Sequence, residues 1–204
     1  MRQRSVIINT GCANISSVKF AIERLTSHVQ VSDDPAIIAA SDKVILPGVG
    51  SANAAMNSIQ QKQLVNCIQG LTQPVLGVCL GMQLMVASSE EKAQQDAPFD
   101  TPCLNVIPGQ VKRMQVGDLR LPHMGWNTVI PVNNDTIFKG IPADTYFYFV
   151  HSFAVEVSAH TLAKCDYGMP FSAAIQRDNF FGVQFHPERS GEAGATLLEN
   201  FLNL

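Results

Sequence analysis

The 204-residue sequence is 46% apolar and 15% charged, a balance that excludes disordered, fibrous and membrane-spanning classes and suits one globular domain over 1–204. Its formal charge of −3, from 14 basic and 17 acidic residues with no basic run, argues against a nucleic-acid partner, because phosphate backbones need a concentrated cationic footprint. Five cysteines, at 12, 67, 79, 103 and 165 with no CxxC pair, fit neither a disulfide framework nor a structural zinc site and suit a reducing, cytoplasmic setting.

Met1-Arg2-Gln3-Arg4 passes directly into an apolar Ser5–Ile8 with no long leader, and no later segment approaches a membrane span. Val6 to Ile8 reads as a first strand, and Ile15, Val18, Ile22 and Leu25, three and four apart, read as one helix face. His28 to Val31 follows as a second strand. Lys43-Val44-Ile45-Leu46 makes a third, stopped by Pro47-Gly48, with Ala52 to Gln69 mainly helical. Pro74 to Val78 is a fourth, more buried strand leading into a helix from Met82 to Ser88. This alternation is that of βα units and a parallel sheet.

After a polar loop from Glu90 to Asp100 the pattern changes to strands and tight turns. Val111, Val129–Val132, Tyr146–Val150, Thr161–Cys165, Ala173–Gln176 and Gly182–Phe185 are candidate strands, largely antiparallel. Ala195, Leu198, Phe201 and Leu202 form one stripe of a closing helix, Ala193 to Leu202. The expected fold class is α/β: a mixed, mostly parallel central sheet flanked by helices, with additional antiparallel strands in the second half.

Gly77-Val78-Cys79-Leu80-Gly81 sits between a buried strand and a helix, which is the context of a nucleophile elbow with sulfur in place of oxygen. Flanking glycines permit a tight turn that strains the nucleophile's backbone, the helix N-terminus favours a thiolate, and the Leu80 N–H lies where an oxyanion forms. A free cysteine is otherwise most often a small buried hydrophobe, so a base is needed. Gly182-Val183-Gln184-Phe185-His186-Pro187-Glu188 offers one. In extended backbone His186 and Glu188 leave the same face, so the carboxylate reaches the imidazole. By itself, His-Pro-Glu also fits a solvated turn.

Taken together, Gly-x-Cys-x-Gly and Phe-His-Pro-Glu resemble the class I glutamine amidotransferases, which use a Cys-His-Glu triad in this order. Pro47-Gly48-Val49-Gly50, Cys79-Leu80-Gly81-Met82-Gln83-Leu84, Pro122-His123-Met124-Gly125-Trp126-Asn127 and Tyr148-Phe149-Val150-His151-Ser152 are similar to signatures of one branch, the glutaminase subunits of imidazole glycerol phosphate synthases. The resemblance covers essentially the whole chain. It implies that Cys79, His186 and Glu188 are catalytic, that Val49 and Leu80 give backbone oxyanion donors, and that Gln83 with the His151-Ser152-Phe153 backbone holds glutamine. It further implies a heterodimer with a (β/α)₈-barrel cyclase subunit that receives ammonia through an internal passage, with Asn14 and Trp126 at the interface and no cofactor. Phe153 stands where many relatives have Tyr and Asn9 near a position often occupied by Asp; the second change has no functional account.

Other readings compete at single residues. Gly48-x-Gly50 after a strand suggests a dinucleotide loop, but Asn53 takes the third glycine position. His28, His123, His151 and His160 lack a ligand spacing, so no metal is expected and packed histidines are the default. A single Trp such as Trp126 is somewhat more often core than interface. Cys12, Cys67, Cys103 and Cys165 lack an elbow and a base and read as structural. Two further function classes stand beside glutamine hydrolysis. A stand-alone cysteine hydrolase or peptidase would ignore glutamine, and a non-catalytic binding subunit would have an unreactive Cys79.

Overall fold

Four short strands build one half of the central sheet: β1 (Ser5–Ile8), β2 (Val29–Ser32), β3 (Lys43–Gly48) and β4 (Val75–Cys79). The structure, a computed structural model, describes residues 3–11, 15–26, 28–91, 100–133 and 135–204. Cys12, Asn14 and most of the polar loop expected from Glu90 to Asp100 lie outside the described residues. The second half contributes β8 (His123–Pro131), β9 (Thr145–His151), β11 (Thr161–Asp166), β12 (Pro170–Arg177) and β13 (Phe180–Val183). These nine strands form one sheet in the order β2-β1-β3-β4-β13-β12-β11-β8-β9. Pairing is parallel from β2 to β13 and antiparallel from β13 to β9. The mixed α/β class is therefore present, with the antiparallel strands continuing the same sheet, so the parallel majority expected becomes an even division. A smaller sheet, ordered β10-β7-β5-β6, holds β5 (Ser88–Ser89), β6 (Thr101–Pro102), β7 (Gln110–Arg113) and β10 (Phe153–Val155).

Strand alternation divides the core between the two faces of the sheet. Ile7, Ile45 and Val78 pack with Val18 and Ile22 of α1 (Ile15–Glu23) and with Leu197, Leu198 and Phe201 of α6 (Gly191–Leu202). Val6, Ile8, Val44 and Leu46 pack on the other face with Ala55, Met56 and Ile59 of α3 (Ala52–Gln61) and Ile68 of α4 (Val65–Gln69). Among the described residues no helix is long and apolar enough to cross a membrane.

The structure differs from the sequence reading at several elements. Strand β3 runs through Pro47-Gly48, and Gly48 pairs with Cys79. The stretch expected to be mainly helical, Ala52 to Gln69, is so as two helices, α3 and α4, separated at Lys62–Leu64, where Gln63 takes a φ of 56°. An unforeseen α2 (Pro35–Ala39) starts at Asp34, whose carboxylate accepts the Ala36 N–H at 2.8 Å, with Pro35 in the first turn. The helix expected from Met82 to Ser88 is a single turn, α5 (Leu80–Gln83). Leu84, Met85 and Val86 are sealed on all sides, and their carbonyls accept N–H groups from Leu104 to Ile107, so tertiary partners replace helical ones.

Candidate active site

The ends of three neighbouring parallel strands converge here. Gly48 pairs with Cys79 across β3 and β4, and Val183 pairs with Val78 across β13 and β4. Loops after β3, β4 and β13 therefore leave the same edge of the sheet, the carboxyl edge where open α/β sheets gather their sites. Cys79 forms the turn itself, at φ 53° and ψ −110°, a strained conformation for a non-glycine residue that costs on the order of 1–3 kcal/mol. Packing enforces it. A Cβ on Gly81 would collide with the Leu46 carbonyl oxygen, and one on Gly77 would lie 2.7 Å from the Gly81 carbonyl carbon. Because α5 has only four residues, local N–H groups such as that of Leu80, more than a summed helix dipole, face the sulfur's surroundings.

His186 lies beyond β13, with its backbone N–H donated to the Tyr148 carbonyl at 2.8 Å. Ser190 completes the clamp: its Oγ donates to the His186 carbonyl at 2.6 Å and accepts the Tyr148 N–H at 3.0 Å. The sequence reading had Glu188 reach His186 along extended backbone. Instead Pro187–Arg189 is a 3-10 turn, started by the preset φ of Pro187, and this turn brings Glu188 Oε1 to 2.8 Å from His186 Nδ1. Since the carboxylate accepts, Nδ1 carries the hydrogen, which leaves Nε2 as the nitrogen available for proton exchange with sulfur. Burial alone would depress the imidazole pKa, but interaction with Cys79 and the hydrogen bond to Glu188 outweigh it and raise it to about 10. The Glu188 side chain is 3% exposed and its Oε2 has no hydrogen-bond partner among the described residues, so its charge is felt mainly by the ring.

A cavity of about 280 Å³ opens in front of Cys79, lined by Val49, Gly50, Leu80, Gln83, Glu91, the Val150–Phe153 segment and His186. The expected site residues Cys79, His186, Val49, Leu80, Gln83, His151, Ser152 and Phe153 thus surround one space, and Glu188 stands behind His186. Gln83 Nε2 donates to the Phe153 carbonyl and to Gln184 Oε1, both at 2.9 Å, so Gln83 meets Phe153 through its backbone. Trp126 is 54% exposed and lies away from this cavity, which removes the core reading for it.

Two residues escaped the sequence reading. Glu91, at the start of the polar loop, places a half-buried carboxylate in the cavity wall, where Oε2 accepts the Ala52 N–H at 2.8 Å. Burial raises its pKa. No spacing signals this contact, since it joins the start of α3 to a loop 39 residues later. Gln184 lies inside the histidine motif, and its Nε2 approaches Cys79 Sγ at 3.7 Å. A polar glutamine between Val183 and Phe185 in an otherwise apolar strand end was the available signal.

A family model described as glutamine amidotransferase class-I matches residues 7–204. The imidazole glycerol phosphate synthase subunit HisH of Vibrio cholerae is 55% identical over 204 residues, covering 100% of both chains. The subunit of the same name from Photobacterium profundum is 52% identical over 99% of this chain and 98% of its own. In three dimensions, PurLQS from Thermotoga maritima superposes with a TM-score of 0.72 at 18% identity, over 100% of this chain and 99% of that one, a likeness of fold.

Proposed function

The chain belongs to the class-I glutamine amidotransferase family, and on that footing we propose that it is the glutaminase subunit of an imidazole glycerol phosphate synthase. It hydrolyses glutamine to glutamate and ammonia for a cyclase partner in histidine biosynthesis. The observation that carries this reading is a strained Cys79 facing a cavity beside the 2.8 Å His186–Glu188 pair, in a chain 55% identical end to end to the Vibrio cholerae subunit.

In the proposed mechanism, glutamine enters with its side-chain carbonyl over Cys79. Gln83 and the His151–Phe153 backbone line its flank, and the Glu91 carboxylate offsets its α-ammonium. The Cys79 thiolate adds to the carbonyl carbon, and the N–H groups of Leu80 and Val49 receive the oxyanion. His186, already protonated because its pKa is raised, gives its proton to the departing nitrogen as the C–N bond breaks. Water then loses a proton to the same ring, attacks the γ-glutamyl thioester and expels the thiolate. Glu188 holds the ring in the Nδ1–H tautomer and balances its charge. These steps use only the chain's own residues and water, with no cofactor.

Ammonia set free in water is protonated and lost, which supports delivery to a partner. The partner proposed is the (β/α)₈-barrel cyclase subunit, and the setting the cytoplasm. Trp126, with Met124 and Tyr146 on the exposed face of β8 and β9, is the described part of the docking surface. Asn14, the other expected interface residue, lies outside the described residues. The test is Cys79→Ala in the assembled enzyme. Glutamine-driven cyclisation is expected to fall by at least about 10³-fold while ammonium-driven cyclisation persists. Equal loss of both with the complex intact, or unchanged glutamine use, overturns the reading.

A further inference from the structure

Two histidines that the sequence leaves as packed side chains form one ordered chain behind the glutamine pocket. His123 begins β8 and stands directly opposite His151, the last residue of β9. His123 Nδ1 lies 3.0 Å from His151 Nε2. At one end of the chain, His151 Nδ1 is 2.9 Å from the Phe153 carbonyl oxygen, which can only accept. His151 Nδ1 therefore carries the hydrogen, Nε2 is its lone-pair nitrogen, and His123 Nδ1 must donate to it.

The other end demands the same assignment independently. Asn127 Oδ1 accepts the Thr128 N–H and Asn127 Nδ2 donates to the Asp166 carbonyl, both at 2.8 Å, so backbone groups alone orient this amide. Its Nδ2 also faces His123 Nε2 at 3.3 Å, which must then accept, leaving the hydrogen of His123 on Nδ1. Both rings are buried, and His123 stacks between Phe149 and Tyr167 with centroids 4.9 and 4.0 Å away. Burial pushes their pKa values down to about 4 and about 3, so both rings are neutral near neutral pH, as the chain requires.

We infer that His123 is a positioning residue for glutamine: through His151, its Nδ1–H fixes the Phe153 carbonyl and with it the His151–Phe153 backbone against which substrate is held. That carbonyl is the junction, because Gln83 Nε2 also ends on it. Removing the His123 donor leaves a buried acceptor on His151 unpaired, which frees the ring to turn and releases the segment. The inference rests on the reading of this cavity as a glutamine site, and two readouts separate the failure of one from that of the other.

The first readout needs no substrate. Long-range ¹H–¹⁵N spectra of the ¹⁵N-labelled full chain are expected to show both His123 and His151 as Nδ1–H tautomers; Nε2–H at either overturns the inference. The second readout is alkylation of Cys79, followed on its own peptide, by a glutamine-like α-amino-acid chloroketone and by iodoacetamide. His123→Phe keeps a ring between Phe149 and Tyr167 but has no donor. It is expected to raise the half-saturating chloroketone concentration about tenfold, equivalent to about 1.4 kcal/mol, and to leave the iodoacetamide rate nearly unchanged. His123→Asn has no ring but keeps an N–H at the Nδ1 position, and is expected to recover most of that loss. If the Asn variant is as impaired as the Phe variant, or more so, ring packing is the cause and the inference fails. If the wild-type chain shows no saturation with the chloroketone, the glutamine reading itself fails, whatever the tautomers.

Discussion

Glu188 uses one carboxylate oxygen on His186 and keeps the other sealed from water with no partner among the described residues, so the ring loses both orientation and charge balance if the carboxylate goes. Glu188→Gln retains an acceptor for Nδ1–H and removes only the charge, whereas His186→Ala removes the proton carrier. By the precedent of hydrolase triads, the first is expected to cost about 10⁴-fold or less in glutamate formation and the second about 10⁶-fold. Steady-state glutamate production by the assembled enzyme, at saturating glutamine, checks the ordering; equal rates in wild type and both variants would remove Phe185-His186-Pro187-Glu188 from the site. At this scale the motifs were legible because Cys79, His186 and Glu188 sit in short local patterns. Glu91 and the His123–His151 pair were not, because their partners are 39 and 28 residues away.

The turn at Cys79 is an element held by close backbone approach more than by helix propensity. Gly81 lies in α5 at ordinary helical geometry, yet its missing side chain lets α5 sit on the Leu46 carbonyl of β3. Gly81→Ala is expected to destabilise the fold by about 3 kcal/mol or more, because backbone on both sides must shift. Gly117→Ala is a useful contrast: that residue has φ +60° and open space around its absent Cβ, so only left-handed strain of about 1–2 kcal/mol applies. Urea unfolding midpoints with unchanged slopes would order the two variants, and a Gly81 variant as stable as wild type would contradict the packing account. The same packing explains the short α5. Leu84–Val86 are apolar without a polar face and bond to Leu104–Ile107, a choice that local periodicity does not encode.

For the whole molecule, three buried histidines couple stability to pH in opposite directions. His123 and His151 titrate near 4 and 3 when folded against 6.5 when unfolded. Their contribution is complete above pH 6.5 and is lost as pH falls through the folded values, at about 1.4 kcal/mol per pH unit for each ring as the unfolded chain takes up protons. His186, raised from 6.5 to about 10, contributes fully below 6.5 and loses its share as pH rises through 10. Urea-derived stabilities at pH 7, 5.5 and 4.5 are expected to fall less steeply for His123→Phe than for wild type, since one proton-binding site has gone. Identical slopes would mean that His123 is not held neutral by the fold.

By itself the sequence determined the alternation of strands and helices, the antiparallel second half, the Cys79 turn and the nearness of Glu188 to His186, because each is written in neighbouring residues or in a period of two or nearly four. Tertiary structure alone decided the even split of one continuous sheet, the 3-10 route by which Glu188 reaches His186, the exposure of Trp126 and the tautomers of His123 and His151. Those outcomes depend on which distant strands become neighbours, and the free energy that selects them comes from burial and hydrogen bonding across the sheet, which no local window contains.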